Sequence, residues 1–227
     1  GFDPVRRQVA RVALEKLIED GRIHPARIEE VVGKAQKDID QVIKKAGEDA
    51  AREAGVPGLP PEIIVLMGQL TFRTSYSQNV LHHSVEMAHL AAMVAAEIGA
   101  NVQVSRAAAF LHDLGKAVTH EMEGAHHHIT RLLCDKYGID EAITHAAEAH
   151  HDDIEATTPE ALIVRAVDAL SAGRPGARGD SVENYAKRMG ELENIANTFP
   201  GVNKTDAMAA GREIRVFVSP ENIDDLS

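Results

Sequence analysis

Apolar residues at the start of the chain fall at Val5, Val9, Val12 or Ala13, and Leu17, with charged residues between them. Steps of three and four place them on one helix face. Asp3 can cap that helix, Pro4 suits its first turn and Gly21 ends it, which predicts a helix over residues 4–20. A second start at His24-Pro25 opens a longer run. Ile28, Val32, Ala35, Ile39, Val42, Ala46 and Ala50 recur at the same steps as far as Gly55-Val56-Pro57. The seam is narrow and the opposite face charged, so this segment reads as a connecting helical arm rather than core. The Pro/Gly-rich run Gly55–Pro61 is the clearest boundary in the chain.

Beyond it the pattern predicts helices at about 61–70, 79–98, 102–112, 126–137, 140–151, 159–172 and 181–198. Asn79 and Gly99 bound the second of these, and Ser181-Val182-Glu183-Asn184 gives the last a capping pattern. Only Glu213–Val218 alternates like a strand, before Pro220 stops it. The expected fold is mainly α, a helical bundle preceded by a long helical arm, with a short β element near the C-terminus.

Composition agrees with that reading and narrows it. A chain of 227 residues, 44% hydrophobic and 26% charged, can bury a core in one or two domains. With no Trp, three Tyr and five Phe, the core falls to Ala, Leu, Ile, Val and Met. The net charge of −11 argues against a protein that coats nucleic acid unselectively. Residues 1–58 balance eleven basic against eleven acidic side chains, so the whole net negative charge lies later. The single cysteine, Cys134, excludes a disulfide framework and a Cys-rich zinc module. The longest apolar stretch, Leu90–Ala96, falls far short of the roughly 20 residues of a membrane span.

The acidic part also holds the histidines: eleven of twelve lie between His82 and His151. Imidazole and carboxylate together are the donors of metal sites. His112-Asp113-Leu114-Gly115-Lys116 is the strongest local signal. Adjacent His and Asp at a helix end can reach one ion, the glycine lets the backbone turn sharply, and the lysine is placed to meet a phosphate. Seen alone, the pair equally fits a polar helix end. His83 sits on the preceding helix, and Asp168 on an otherwise apolar one. A buried carboxylate there needs a partner, either a metal ion or an arginine. Arg174, Arg178, Lys187 and Arg188 form the clearest basic group. The loop Arg174-Pro175-Gly176-Ala177-Arg178 suits phosphate contact, or is simply a solvated basic loop.

The pattern His83 … His112-Asp113 … Asp168 resembles the HD phosphohydrolase superfamily. That resemblance implies a divalent ion held by these four side chains inside the bundle. His126, His150 and His151 fit a two-metal version of the superfamily. The expected cofactor is one or two divalent ions per chain, Mn or Mg first, with Zn, Fe or Ni as alternatives. Asp113 and Lys116 are the expected catalytic residues, and Lys116, Arg174 and Arg178 the phosphate-binding ones. His89 and His120 are candidates for support behind the ligands. At most one of His126, His127 and His128 should face a metal; the family register favours His126, and the choice stays open.

Longer strings sharpen the resemblance. Gly1-Phe2-Asp3-Pro4-Val5-Arg6-Arg7, Arg73-Thr74-Ser75-Tyr76-Ser77-Gln78-Asn79, Asp168-Ala169-Leu170-Ser171-Ala172-Gly173-Arg174-Pro175 and Ala210-Gly211-Arg212-Glu213 all resemble the bacterial ribonuclease Y family. The resemblance implies an endoribonuclease of mRNA turnover. It would cleave single-stranded RNA by hydroxide attack supplied at the metal, leaving 5′-phosphate and 3′-hydroxyl ends. It also implies a homodimer, association with other mRNA-decay enzymes, and a parent protein anchored at the cytoplasmic face of the bacterial membrane, with no membrane contact from this piece. Residues 1–23 would be the last helix of a truncated KH domain, 24–58 the arm, 59–180 the HD domain, and 181–227 the start of a C-terminal α+β region. Two other readings compete. One is an HD-type phosphodiesterase of cyclic dinucleotides or nucleotides, although the Gly-Tyr-Pro motif of one such family is absent. The other is a non-catalytic dimerisation or scaffold module.

Overall fold

The computed structural model describes residues 3–75, 78–119, 121–173, 182–208 and 213–218, without the side chains of 182–188. Its helices are α1 (Pro4–Asp20), α2 (Pro25–Glu53), α3 (Pro61–Gln69), α4 (Val80–Ile98), α5 (Val102–Leu111), α6 (His126–Lys136), α7 (Glu141–Glu148), α8 (Pro159–Ala172) and α9 (Val182–Asn197). A single-turn 3-10 helix covers Leu114–Ala117. Among the described residues there are also a 3-10 turn at Leu70–Phe72 and two small antiparallel hairpins: β1 (Thr74–Ser75) with β2 (Gln78–Asn79), and β3 (Val202–Met208) with β4 (Glu213–Val218). The mainly helical class and the β element near the C-terminus are as expected. Among the described residues no helix is long and apolar enough to cross a membrane.

The chain divides into two compact units, residues 1–168 and 169–227. In the second, Thr205 Oγ1 donates to the Glu193 carbonyl at 3.2 Å, tying β3 to α9, and β3 pairs with β4 from Val202↔Val218 to Met208↔Glu213. The sequence reading found β4 but not β3, because Val202-Asn203-Lys204-Thr205-Asp206 is mostly polar and its burial follows no alternation.

The first unit holds the candidate chemistry. Helix ends follow the local signals: Asp3 Oδ1 accepts from Val5 N at 2.8 Å, and Gly21 and Gly99 close α1 and α4 with positive φ of 71° and 75°. The seam of α2 differs from the expected one. Val31, Ala35, Ile39, Ile43, Gly47, Ala50 and Ala51 are buried, while Ile28, Val32 and Val42 are exposed. The arm is therefore partly core. Its first half packs on α1, and its last turns join a cluster with Ile63, Met67, Leu81, Phe110, Leu111, Leu114 and Ile129. Gly47 and Gly68 make this possible: a Cβ on Gly47 would stand 2.0 Å from the Ile64 carbonyl oxygen, and one on Gly68 2.0 Å from that of Ile43. A second cluster of Met87, Ala91, Ala95, Ala108, Ala109, Ala146, Ala147, Val164 and Val167 joins α4, α5, α7 and α8. Its many alanines let these helices approach closely, and their polar residues meet at one place.

Candidate metal centre

Three helices deliver the first group of ligands. On α4, His83 follows the buried Val80 and Leu81 and precedes Ser84, Val85, Met87 and Ala88, so it occupies the core-facing side. On α5 every residue from Ala107 to Leu111 is buried, which places His112 at the C-terminal end inside the protein, 1% exposed. On α8, Asp168 follows the buried Ile163, Val164 and Val167. Asp168 Oδ1 lies 3.3 Å from His83 Nε2 and 3.8 Å from His112 Nε2. The Nδ1–H of His112 donates to the Ala109 carbonyl at 2.8 Å. A carbonyl only accepts, so in the neutral ring the lone pair sits on Nε2 and faces Asp168.

Asp113 connects this group to a second. Its Oδ2 lies 3.4 Å from His112 Nε2 and accepts from Lys116 Nζ at 2.8 Å, while its Oδ1 is 3.3 Å from His126 Nε2. The turn that aims Asp113 depends on Gly115. The expected reason was a sharp turn, but Gly115 has no left-handed φ. What requires glycine is close approach: a Cβ would stand 2.0 Å from the His126 carbonyl oxygen and 2.9 Å from Thr130 N. Gly115 N donates to Thr130 Oγ1 at 2.9 Å, and that hydroxyl donates to the His112 carbonyl at 3.2 Å. The 3-10 turn is thus docked on the first turn of α6, beside His126.

The second group comes from α6 and the residues after α7. His126 Nε2 lies 3.2 Å from His150 Nε2 and 3.1 Å from His151 Nε2. The Nδ1–H of His150 donates to the Ala147 carbonyl at 2.7 Å, repeating the arrangement at His112 and turning the Nε2 lone pair inward. Arg165 of α8 holds this segment from behind. Its guanidinium donates to the carbonyls of Ala149 (2.8 Å), His151 (2.9 Å) and Ile154 (2.8 Å). His145 takes part as well, its Nε2 accepting from Thr157 N at 3.3 Å.

Burial and charge set the electrostatics. Burial lowers His83 and, further, His150, where the nearby His112 charge adds to the effect. Burial and the neighbouring His126 and His127 lower His151. Burial opposes the charged form of His112, yet the Asp113 carboxylate beside it raises its pKa overall. Burial likewise works against the Asp113 carboxylate, and the charge and hydrogen bond of His112 overcome it, holding Asp113 well below the usual carboxylate range. Asp168 is lowered in the same way against burial, by His83 and His112. The carboxylates stay charged, and the His83, His150 and His151 rings resist protonation.

These residues fit a divalent ion. His83, His112 and Asp168 form one set, and Asp113, His126 and His150 another, with donor atoms inside each set within 4.8 Å of one another. One proton can serve only one of the two short contacts that His126 Nε2 makes to other ring nitrogens. The buried Asp113 Oδ1 has no hydrogen-bond partner. A cation supplies what those lone pairs lack.

Not every expected residue joins the cluster. His83, His112, Asp113, Asp168, His126, His150, His151 and Lys116 are brought together. His89 is exposed on α4, seven residues from the exposed His82 and on the same outward face, away from His83. His120, Arg174 and Arg178 lie outside the described residues, as do the side chains of Lys187 and Arg188. His127, expected to give way to His126, is buried, with Nε2 2.7 Å from Asp153 Oδ2. Asp153, Glu148, Thr130 and Arg165 were missed. Arg165 had a visible signal, a lone cation on an apolar helix three residues before Asp168.

Comparison with known proteins places this chain among relatives. A family model described as HD domain matches residues 80–173, which include every member of the cluster. Proteins named Ribonuclease Y match nearly the whole chain. That of Thermoanaerobacter pseudethanolicus is 59% identical over 225 residues, 99% of this chain and 44% of the relative. That of Desulforamulus reducens is 58% identical over 227 residues, 100% of this chain and 44% of the relative. That of Enterococcus faecalis is 54% identical over 226 residues, with the same coverage as the second. The chain therefore spans about 44% of the length of the curated relatives it matches. No solved structure matches it.

Proposed function

The chain belongs to the ribonuclease Y family through a segment that spans under half of its relatives' length, and from that premise we propose that it is the hydrolytic part of a metal-dependent endoribonuclease acting on single-stranded RNA. The observation that carries this reading is the convergence of the His112 and His150 Nε2 lone pairs, each fixed by an Nδ1–H to carbonyl bond, on the shared Asp113 carboxylate.

In this reading His83, His112, Asp113 and Asp168 hold one divalent ion, and Asp113, His126, His150 and His151 a second. Ions there supply polarisation of a phosphoryl oxygen and a water of lowered pKa. Asp113 bridges the two groups and fixes their spacing. Lys116 pairs with Asp113 now, and its side chain is 20% exposed, so its ammonium can turn to a non-bridging phosphate oxygen while staying at the rim. Arg165 keeps His150 and His151 in register with His126. Arg174 and Arg178 follow α8 in the sequence and are the proposed contacts for the RNA backbone. Cleavage leaves 5′-phosphate and 3′-hydroxyl ends.

Family likeness also supports the proposed division into 1–23, 24–58, 59–180 and 181–227, with the RNA grip and membrane attachment residing in other parts of the full protein. The exposed apolar residues Leu14, Ile18, Ile28 and Val32 of α1 and α2 favour the proposed homodimer. The test is cleavage of a 5′-monophosphorylated single-stranded RNA with Mn or Mg, comparing the chain with Asp113→Ala. Loss of cleavage in a folded variant supports the reading; retained cleavage contradicts it.

A further inference from the structure

Beside the central cluster lies a group of side chains that the hydrolytic reading does not use. His127 and His128 follow His126 in the first turn of α6, Asp153 lies in the segment after α7, and Glu148 ends α7. His127 Nε2 is 2.7 Å and His128 Nε2 3.4 Å from the same oxygen, Asp153 Oδ2. His128 Nδ1 is 3.2 Å from Glu148 Oε1. Ligand atoms of His127, His128 and Asp153 all lie within 4.8 Å of one another.

We infer that His127, His128 and Asp153 form a separate peripheral site for a borderline divalent transition ion of the zinc class, with Glu148 orienting His128 from behind. Four observations carry this. The donor set, two imidazoles and one carboxylate, suits zinc-class ions and leaves a position for water. Donors around such an ion stand about 3.4 Å apart, which follows from Zn–N bonds of about 2.1 Å in a tetrahedron. His128 Nε2 stands at that distance from Asp153 Oδ2, 3.4 Å, and His127 Nε2 is closer, at 2.7 Å, so an ion would open that contact by under 1 Å. The Glu148 carboxylate accepts from Nδ1–H of His128, which fixes the tautomer with its lone pair on Nε2, toward Asp153. This is the carboxylate–histidine–metal arrangement. Finally, His127 is buried and its Nε2 lies 2.7 Å from Asp153 Oδ2, so that ring is anchored at this site through Nε2. The N-terminus of α6 disfavours a cation, but the Asp153 and Glu148 carboxylates in direct contact outweigh a partial charge.

None of its three ligands belongs to the two central sets, while His127 also stands within 4.8 Å of His126 and His151, so the two sites adjoin; the site does not depend on what the protein cleaves. An ion there staples the first turn of α6 to the segment that carries His150 and His151. Asp153 and His128 are half-exposed, so replacing them leaves the core intact.

Equilibrium dialysis against Zn(II), followed by elemental analysis of zinc per chain, is the test. It compares the unaltered chain, the double variant His128→Ala/Asp153→Asn, and Asp113→Asn, with helical circular dichroism as the fold check. The double variant is expected to bind one zinc fewer per chain than the unaltered protein. Asp113→Asn is expected to retain that zinc. Co(II) as a second probe should show visible d–d absorption that the double variant loses. Equal zinc content in the unaltered chain and the double variant overturns the proposal. So does complete loss of zinc in Asp113→Asn. If the double variant does not fold, His128→Gln alone should weaken that zinc at least ~10-fold, and unchanged affinity overturns the proposal equally.

Discussion

His83, His112 and Asp168 reach their shared space from three helices whose neighbouring residues are buried in the core, whereas His126, His150 and His151 come from the first turn of one helix and the residues just after another. The first group is positioned by hydrophobic packing on α4, α5 and α8. The second is positioned by hydrogen bonds, from Arg165 to the carbonyls of Ala149, His151 and Ile154, and by the docking of Gly115 on α6. A packed helix needs little beyond its own apolar face to aim a side chain. A loop needs a brace, and here α8 supplies both Asp168 for the first group and Arg165 for the second.

The largest effect is expected at the residue that both groups share. Asp113→Ala should lower RNA cleavage at least ~10³-fold, with a retained helical spectrum, because the bridging carboxylate is lost. Gly115→Ala comes next. Its methyl group meets backbone at 2.0 Å, so the 3-10 turn must lift from α6. Overpacking of this kind costs about 1–3 kcal/mol, read as a lower melting temperature, and cleavage should fall with it. Arg165→Ala should separate the groups. Removing support behind metal-binding histidines costs roughly 10–100-fold in affinity or activity, and titration of Mn(II) should show the site of His126, His150 and His151 weakened while that of His83, His112 and Asp168 persists.

The pH dependence follows from the shifts. His83, His150 and His151 lie below the ordinary histidine value of 6.5, so the metal-free fold keeps them neutral where the unfolded chain takes up protons. Their contribution to stability is complete above about 6.5 and declines as pH falls below it. Asp113 and Asp168, held below the usual 3.8, add a second loss beneath that value. His112 acts oppositely: it is raised, so its contribution is present below about 6.5 and disappears as pH rises through its folded value. Melting of the metal-free chain between pH 7.5 and about 4 should show a net fall toward acid. Metal affinity should fall in the same direction, since protons compete for each Nε2 lone pair. The smallest effect is expected for His89→Ala, exposed on α4, within about 0.5 kcal/mol and with unchanged cleavage.

The contrast between the two groups also decides what could be read from the sequence. The helices were legible because apolar periodicity and caps are local, and His83, His112 and Asp168 stood out as polar residues on apolar faces. Arg165 stood out as well, but nothing local says that its guanidinium turns to three carbonyls rather than to Asp168. Gly115 was legible as important and misread in cause, since the approach of α6 is a tertiary fact. The three consecutive histidines could not be resolved, because a helix's first turn directs adjacent side chains about 100° apart toward partners set by the fold. Asp153 and Glu148 look like ordinary surface carboxylates until that fold brings His127 and His128 to them. The α2 seam kept Ala35, Ile39 and Ala50 but missed at Val31 and Ile43, because Val31 and Val32, and Val42 and Ile43, are adjacent apolar pairs; the contact of Gly47 with α3 is a tertiary fact that the local pattern does not carry.

The central claim is that one carboxylate, Asp113, joins two metal-holding groups. Isothermal titration of the metal-free chain with Mn(II) at pH 7.5, set against the same titration of Asp113→Asn, tests it most directly. Coordinated binding in the unaltered chain, weakened in both groups at least ~10-fold by that single change, is the predicted result. Unchanged Mn(II) binding in a folded Asp113→Asn variant would contradict it.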